Sequence, residues 1–225
     1  MSSAVAQIRR YKSGQFYRDE FRIANGGNWN GYENNVLFRG EGLDENKNPM
    51  FADVGMAVGA DDIKDARGMA VADFDNDGDL DIVVNTNPGD VGKPSVPPVL
   101  LRNDLGQNRN WLAVELSGTI SNHDAVGAEV VIEGRSSTGS NVKLMRHVSA
   151  GGGYASQNSD RLYFGLGDVS MQSLAVRWPS GKKHTFTELK ANQLLRISED
   201  GEIERTSLPK RDAVPERTVA THHKF

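Results

Sequence analysis

The sequence predicts an all-β protein, and three observations carry that prediction. From Asn110 to Ser198 the chain runs through short apolar stretches, many alternating with polar residues, with turn signals between them. That is the pattern of half-buried strands in a sandwich or barrel. Glycine is frequent, at 24 of 225 residues, as in turn-rich β proteins. An acidic loop at residues 73–81 also lies between two short apolar stretches with β-branched residues, which reads as a hairpin.

In chain order, residues 1–34 form an N-terminal segment with no assigned fold. Ala4 to Tyr11 suits a helical turn or two, and Asn25 to Gly31 is a loop. Arg9 and Arg10 are not followed by an apolar stretch, so a signal peptide is not expected there. Residues 35–109 form the next segment. Val36-Leu-Phe-Arg39 returns as Val99-Leu-Leu-Arg102, 63 positions later, and repetition of this kind points to propellers or solenoids. Strands are expected from Val36 and at Phe51 to Val54, with a polar insertion at Leu43 to Met50 between them. Three more are expected at about 68–73, 81–86 and 97–102. The fourth strand of that blade would come from 111–116 or from 36–54. The connection Asn87 to Pro98 is rich in Pro and Gly and should be exposed.

The loop itself reads Asp73-Phe-Asp-Asn-Asp-Gly-Asp-Leu-Asp81. Asp73, Asp75, Asp77, Asp79 and Asp81 repel one another unless a counter-ion is present. Ca²⁺ takes six to eight oxygens in a flexible shell, and loops deliver them from alternate positions. Asp73, Asp75 and Asp77 are expected to offer side-chain oxygens, Asp79 its carbonyl, and Asp81 to close the shell. Gly78 stands where the backbone must turn around the ion. An EF-hand would need a glutamate at the twelfth loop position, where Val84 stands, and helices on both flanks. A haloacid-dehalogenase-type phosphotransferase would need Thr where Asp77 stands.

On these residues, Asp-x-Asp-x-Asp-Gly-x-x-Asp between strands resembles the FG-GAP (VCBS-type) β-propeller repeat, and Ala66-Arg-Gly-Met-Ala-Val-Ala-Asp73 is similar to bacterial repeats of that class. Val36-Leu-Phe-Arg-Gly-Glu-Gly42 followed by Phe51-Ala-Asp-Val54 resembles the family's approach to the next Ca²⁺ hairpin. The resemblance implies incomplete propeller blades, since a closed propeller has typically four to eight. Two unclosed blades leave apolar faces and edges that something must cover.

From Asn110 seven strands are expected: Trp111 to Leu116, Gly127 to Glu133, Val142 to Val148, Arg161 to Gly165, Ser173 to Trp178, His184 to Thr187 and Gln193 to Ser198. Five motifs in order resemble the ASPIC/UnbV domain over 110–199. They are Asn110-Trp-Leu-Ala-Val-Glu-Leu116, Ser121-Asn-His-Asp-Ala-Val-Gly-Ala128, Ser149-Ala-Gly-Gly-Gly-Tyr-Ala-Ser-Gln157, Leu162-Tyr-Phe-Gly-Leu-Gly167 and Val176-Arg-Trp-Pro-Ser-Gly181. The fold expected is therefore incomplete propeller blades followed by a sandwich- or barrel-like domain. Residues 200–225 read as a flexible basic tail or a docking arm.

Other residues point to structure before chemistry. His123 beside Asp124 could be half of a triad, but no Gly-x-Ser-x-Gly elbow completes it. His222 and His223 form the one close histidine pair, in the tail. Gly151-Gly-Gly153 lacks the Lys-Ser/Thr ending of a P-loop and reads as a bulge or a close backbone approach. Trp178 is expected in the core.

Composition narrows the classes further. The net charge is −4, yet residues 41–90 hold 13 Asp/Glu against 3 Lys/Arg, a local −10. No basic cluster interleaves with aromatics, so nucleic acid is not an expected partner. With no cysteine, disulfides and thiolate sites are excluded. No apolar run reaches the length of a transmembrane helix. The expected function is non-enzymatic: a Ca²⁺-stabilised protein-interaction module, a subunit or accessory piece of a larger assembly or a self-associating chain. The family resemblance implies a secreted or periplasmic location. The alternatives are the scaffold subunit of a hydrolase or redox enzyme, and a glycan-binding module using Trp29, Tyr32 and Tyr154.

Overall fold

The computed structural model describes residues 34–62, 66–86, 97–104 and 109–208. Trp29, Tyr32, His222, His223, the helical turn expected at Ala4 to Tyr11, most of the 87–98 connection and the last seventeen residues of the tail lie outside them. The described chain is all-β, in several sheets, none of which closes on itself. Two compact units divide it. One holds residues up to Ala70, Ile82–Leu101 and Gly153–Ser156; the other holds Val71–Asp81, Arg102–Gly152 and Gln157 onward.

In the first unit, β1 (Phe38–Leu43) and β2 (Pro49–Asp53) form an antiparallel hairpin. Its turn is built by Asp44, whose Oδ1 accepts the backbone N–H of Asn46 and of Asn48, both at 2.8 Å. That Asx-type bonding is why the polar insertion turns the chain back instead of extending a strand. A single helical turn, α1 (Gly55–Val58), follows. β3 (Ala66–Ala72), β4 (Asp81–Thr86) and β5 (Val99–Leu101) make a sheet of three strands. The four-stranded blade expected from sequence is not formed among the described residues. β1 and β2 pair with each other alone, and the 111–116 strand joins another sheet. Little of this unit is shielded. Phe38, Leu43, Phe51 and Leu100 are each more than half exposed. An apolar cleft of about 330 Å³ opens between Val36, Leu37, Met69, Ile82 and Leu101.

The second unit is a pair of four-stranded sheets. β6 (Asn110–Ser117), β9 (Leu162–Gly167), β12 (Leu194–Ser198) and β13 (Ile203–Thr206) make one, in the order β13-β12-β6-β9, with β6 and β12 parallel. β7 (Glu129–Arg135), β8 (Asn141–His147), β10 (Ser170–Arg177) and β11 (Lys183–Phe186) make the other, in the order β11-β10-β7-β8. All seven strands expected from the sequence are present. β13 is additional and lies in the stretch expected to be tail.

Alternation explains the core. Leu112 and Val114 of β6, Phe164 and Leu166 of β9 and Ile197 of β12 point inward and meet Val130 and Ile132 of β7 and Leu174 and Val176 of β10 in one buried cluster. Trp178 is 1% exposed in that cluster, as expected, and its indole N–H donates to Nδ1 of His184 at 3.0 Å. Trimming Ile132 to valine is expected to cost about 1 kcal/mol, measured as a lower urea midpoint with unchanged slope. The alternate residues of β6 face the other way. Trp111 and Ala113 form a second buried cluster with Tyr163 and Leu194 on the outer side of that sheet. β6 is thus buried on both faces, and for that reason reads as an unbroken apolar run at Trp111-Leu-Ala-Val114.

Candidate metal centre

The acidic loop joins β3 to β4 and belongs to the second unit, with the strands that carry the outer cluster. Its conformation follows from its own side chains. Asp73 Oδ1 accepts the N–H of Asp77 at 3.1 Å, and Oδ2 accepts the N–H of Gly78 at 3.0 Å. At the far end Asp81 Oδ2 accepts the N–H of Phe74 at 3.0 Å. These bonds wind the chain around the carboxylates. Asn76 at φ 59° and Gly78 at φ 99° take the left-handed conformations that the winding needs.

Oxygens of Asp73, Asp75 and Asp81 converge, all within 4.8 Å of one another. Asp75 Oδ1 is buried and has no hydrogen-bond partner among the described residues. Asp77 and Asp79 are not part of this group; Asp77 Oδ1 instead accepts the N–H of Asp79 at 3.1 Å. Burial raises the Asp77 carboxyl above its ordinary value, and the charges of Asp75, Asp73 and Asp81 push the same way against that N–H. The donor set fits a hard divalent cation: carboxylate oxygens only, clustered, one of them buried with no proton donor to satisfy it.

Residues distant in sequence hold this loop. The Tyr163 hydroxyl donates to Asp73 Oδ2 at 2.9 Å, and the N–H of Asn103 donates to Asp81 Oδ1 at 2.8 Å. Arg161 on the outer face donates to Tyr163 Oη at 3.0 Å and to Asn76 Oδ1 at 3.2 Å. It is paired with Glu115 at 2.6 Å, and Glu115 with Arg196 at 2.8 Å. Glu115 and Arg196 stand opposite each other in the β6–β12 register. Burial alone would raise the Glu115 carboxyl, but the two guanidinium groups outweigh it and hold it below the ordinary value. Burial, with the Asp73 charge, raises the Tyr163 phenol, which Arg161 opposes only in part. The phenol therefore keeps its proton and remains a donor. Trp111 closes the site by lying on Gly78, where a Cβ would overlap the indole ring.

The sequence pattern found the five aspartates but not Tyr163, Arg161, Glu115 or Asn103. The unbroken apolar run of β6 was the available signal that the outer face of this sheet is covered. A second buried carboxylate was also missed. Glu199, fully buried, accepts the N–H groups of Thr119, Ile120 and Ser121 at 2.8, 2.7 and 2.7 Å and the hydroxyls of Ser121 and Ser180. It ties together the Ser121-Asn-His-Asp124 and Pro179-Ser-Gly181 turns. His123 and Asp124 lie 2.9 Å apart in the first of these, with side chains 90% and 70% exposed. The close approach expected at Gly151 to Gly153 is present: Gly153 bridges to Ser156, and a Cβ on Gly153 would overlap Ser156 Oγ. No helix among the described residues is long and apolar enough to cross a membrane.

Residues 118–204 match the family model described as ASPIC and UnbV. Three similar proteins all carry the name cartilage acidic protein 1. The one from Xenopus tropicalis is 28% identical over 78% of this chain and 27% of its own length. Those from Homo sapiens and Mus musculus are 34% and 33% identical over 51% of this chain and 16% of their own length. The chain therefore spans about a quarter or less of the length of these relatives. The 78% coverage exceeds what residues 118–225 can supply, so similarity to the frog protein reaches into the first half. The comparisons support an ASPIC/UnbV domain in the C-terminal part of this chain, over residues 118–204.

Proposed function

We propose that this chain is a calcium-stabilised, non-enzymatic interaction module and a subunit or accessory piece of a larger extracytoplasmic assembly. The observation that carries it is the convergence of Asp73, Asp75 and Asp81 oxygens within 4.8 Å, with Asp75 Oδ1 buried and unpartnered. Ca²⁺ would neutralise these carboxylates and hold the β3–β4 loop, since the unfolded loop offers no such cage. Asp77 and Asp79 complete the ligand set in this reading, by side chain and carbonyl respectively. The three strands β3 to β5 and the β1–β2 hairpin are taken as parts of FG-GAP-like propeller blades. The half-exposed apolar residues of the first unit support a protein partner or self-association, because such faces mark interaction sites.

Melting and light scattering on the chain, with Ca²⁺ and with chelator, test both halves of the proposal. A cation at 100 times its Kd should add about 2.7 kcal/mol to stability, seen as a raised Tm that chelator removes. Asp75→Asn should abolish most of that increment. A Tm indifferent to Ca²⁺ and chelator would sink the calcium reading. A mass of one chain at all concentrations, with no capture of a partner, would sink the assembly reading.

A further inference from the structure

The two end carboxylates of the loop are each held both from inside the loop and from outside it. For Asp73 the inside donors are the N–H groups of Asp77 and Gly78, and the outside donor is the Tyr163 hydroxyl. For Asp81 they are the N–H of Phe74 and the N–H of Asn103. The Tyr163 donor is a side chain, contributed from 90 residues away in sequence. Its donor direction is determined. A phenol has one proton, and a guanidinium can only donate. Because Arg161 Nη1 donates to Tyr163 Oη, the phenolic proton is directed to Asp73 Oδ2. Arg161 in turn is held by Glu115, and Glu115 by Arg196, so this proton donor is braced across three strands of the outer sheet face.

We propose that Tyr163 is a positioning residue for a divalent cation bound by Asp73, Asp75 and Asp81, so that the cation affinity of the loop is set by the outer face of the β6–β9–β12 sheet. The inference rests on the calcium reading above. The tyrosine orients the Asp73 carboxylate and, with the Gly78 N–H, fills both lone pairs of Oδ2, leaving the second lone pair of Oδ1 for the ion. Outer partners of this kind typically carry 10- to 100-fold of metal affinity. Linkage makes the effect reciprocal: what the sheet does for the ion, the ion does for the sheet.

Calcium titrations of the full chain by calorimetry, comparing wild type with Tyr163→Phe, test it. Phenylalanine keeps the ring in its cluster with Trp111, so the fold should persist; the chelated protein's far-UV spectrum and Tm verify that. The expected result is a calcium Kd about 10- to 100-fold weaker, with the Tm loss larger in saturating Ca²⁺ than in chelator. A purely structural tyrosine would lower both Tm values equally and leave Kd unchanged, which overturns the proposal. Arg161→Lys provides a second variant. It keeps the charge but cannot hold Glu115, Asn76 and Tyr163 together with one planar fork, and it should weaken Kd in the same direction. If neither variant alters Kd while wild type binds calcium, the positioning role is wrong and the metal reading stands. If wild type itself shows no calcium heat and no Tm response, the metal reading fails first.

Discussion

Replacing Gly78 by alanine is expected to destabilise the second unit by about 2–5 kcal/mol, from backbone strain at positive φ together with overpacking. The backbone there sits at φ 99°, which alanine adopts only under strain, and the new Cβ would overlap the indole of Trp111. Trp111 cannot simply move aside, because it is 8% exposed and packed with Ala113, Tyr163 and Leu194. Gly139→Ala is the control. Its φ is 84°, but nothing lies within 4 Å of the added Cβ, so only the strain should appear, about 1–2 kcal/mol. Urea unfolding followed by tryptophan fluorescence measures both. Equal losses for the two variants would mean that the loop does not pack on Trp111, and the coupling of loop to sheet would fall with it.

Glu199→Gln is expected to be the other severe change, lowering Tm by about 10 °C or more. The glutamine keeps the shape but removes the charge and turns one acceptor oxygen into a donor amide. That amide would face the N–H groups of residues 119–121 or the hydroxyls of Ser121 and Ser180, which now have a carboxylate to donate to. Glu202→Gln, on the exposed turn that follows, should stay within the small range of surface changes. The wild-type protein should also show Glu199 in its pH dependence. Burial alone would raise this carboxyl, but the hydrogen bonds from Ser180, Ser121 and Thr119 outweigh it and hold it well below its ordinary 4.5. A carboxyl lowered in the folded state contributes fully above its unfolded value and loses that contribution as the pH falls toward the folded one. Stability should therefore decline below about pH 4.5 in wild type, and by less in Glu199→Gln. Parallel pH profiles for the two proteins would show that Glu199 is not the group responsible.

The acidic loop and most strands of the second unit were legible locally. The five aspartates from Asp73 to Asp81 could be singled out because their alternate spacing is written along a nine-residue stretch; that only Asp73, Asp75 and Asp81 converge could not. The strands of the second unit could be found because alternation has a period of two and needs no partner to be visible. The missed β13 shows the limit of that signal. Ile203-Glu-Arg-Thr206 is short and mostly polar, and it is a strand because β12 offers it an edge. The blade's expected fourth strand fails for the converse reason. Trp111 to Leu116 has the pattern of any buried strand, and nothing in the pattern says which sheet it joins.

The sequence alone determined the all-β class, the places of seven strands and the acidic loop, since each depends on residues close together along the chain. The tertiary structure alone decided what holds that loop. Tyr163 meets Asp73, and Glu199 meets residues 119–121, across separations of 90 and about 80 residues. Strand pairing sets those meetings. Register brings Tyr163 beside Ala113 and Arg196 beside Glu115, and alternation then places their side chains on the one outer face where the loop lies. A local pattern states that a residue leaves the sheet on one side or the other; only the paired strands state which residues share that side.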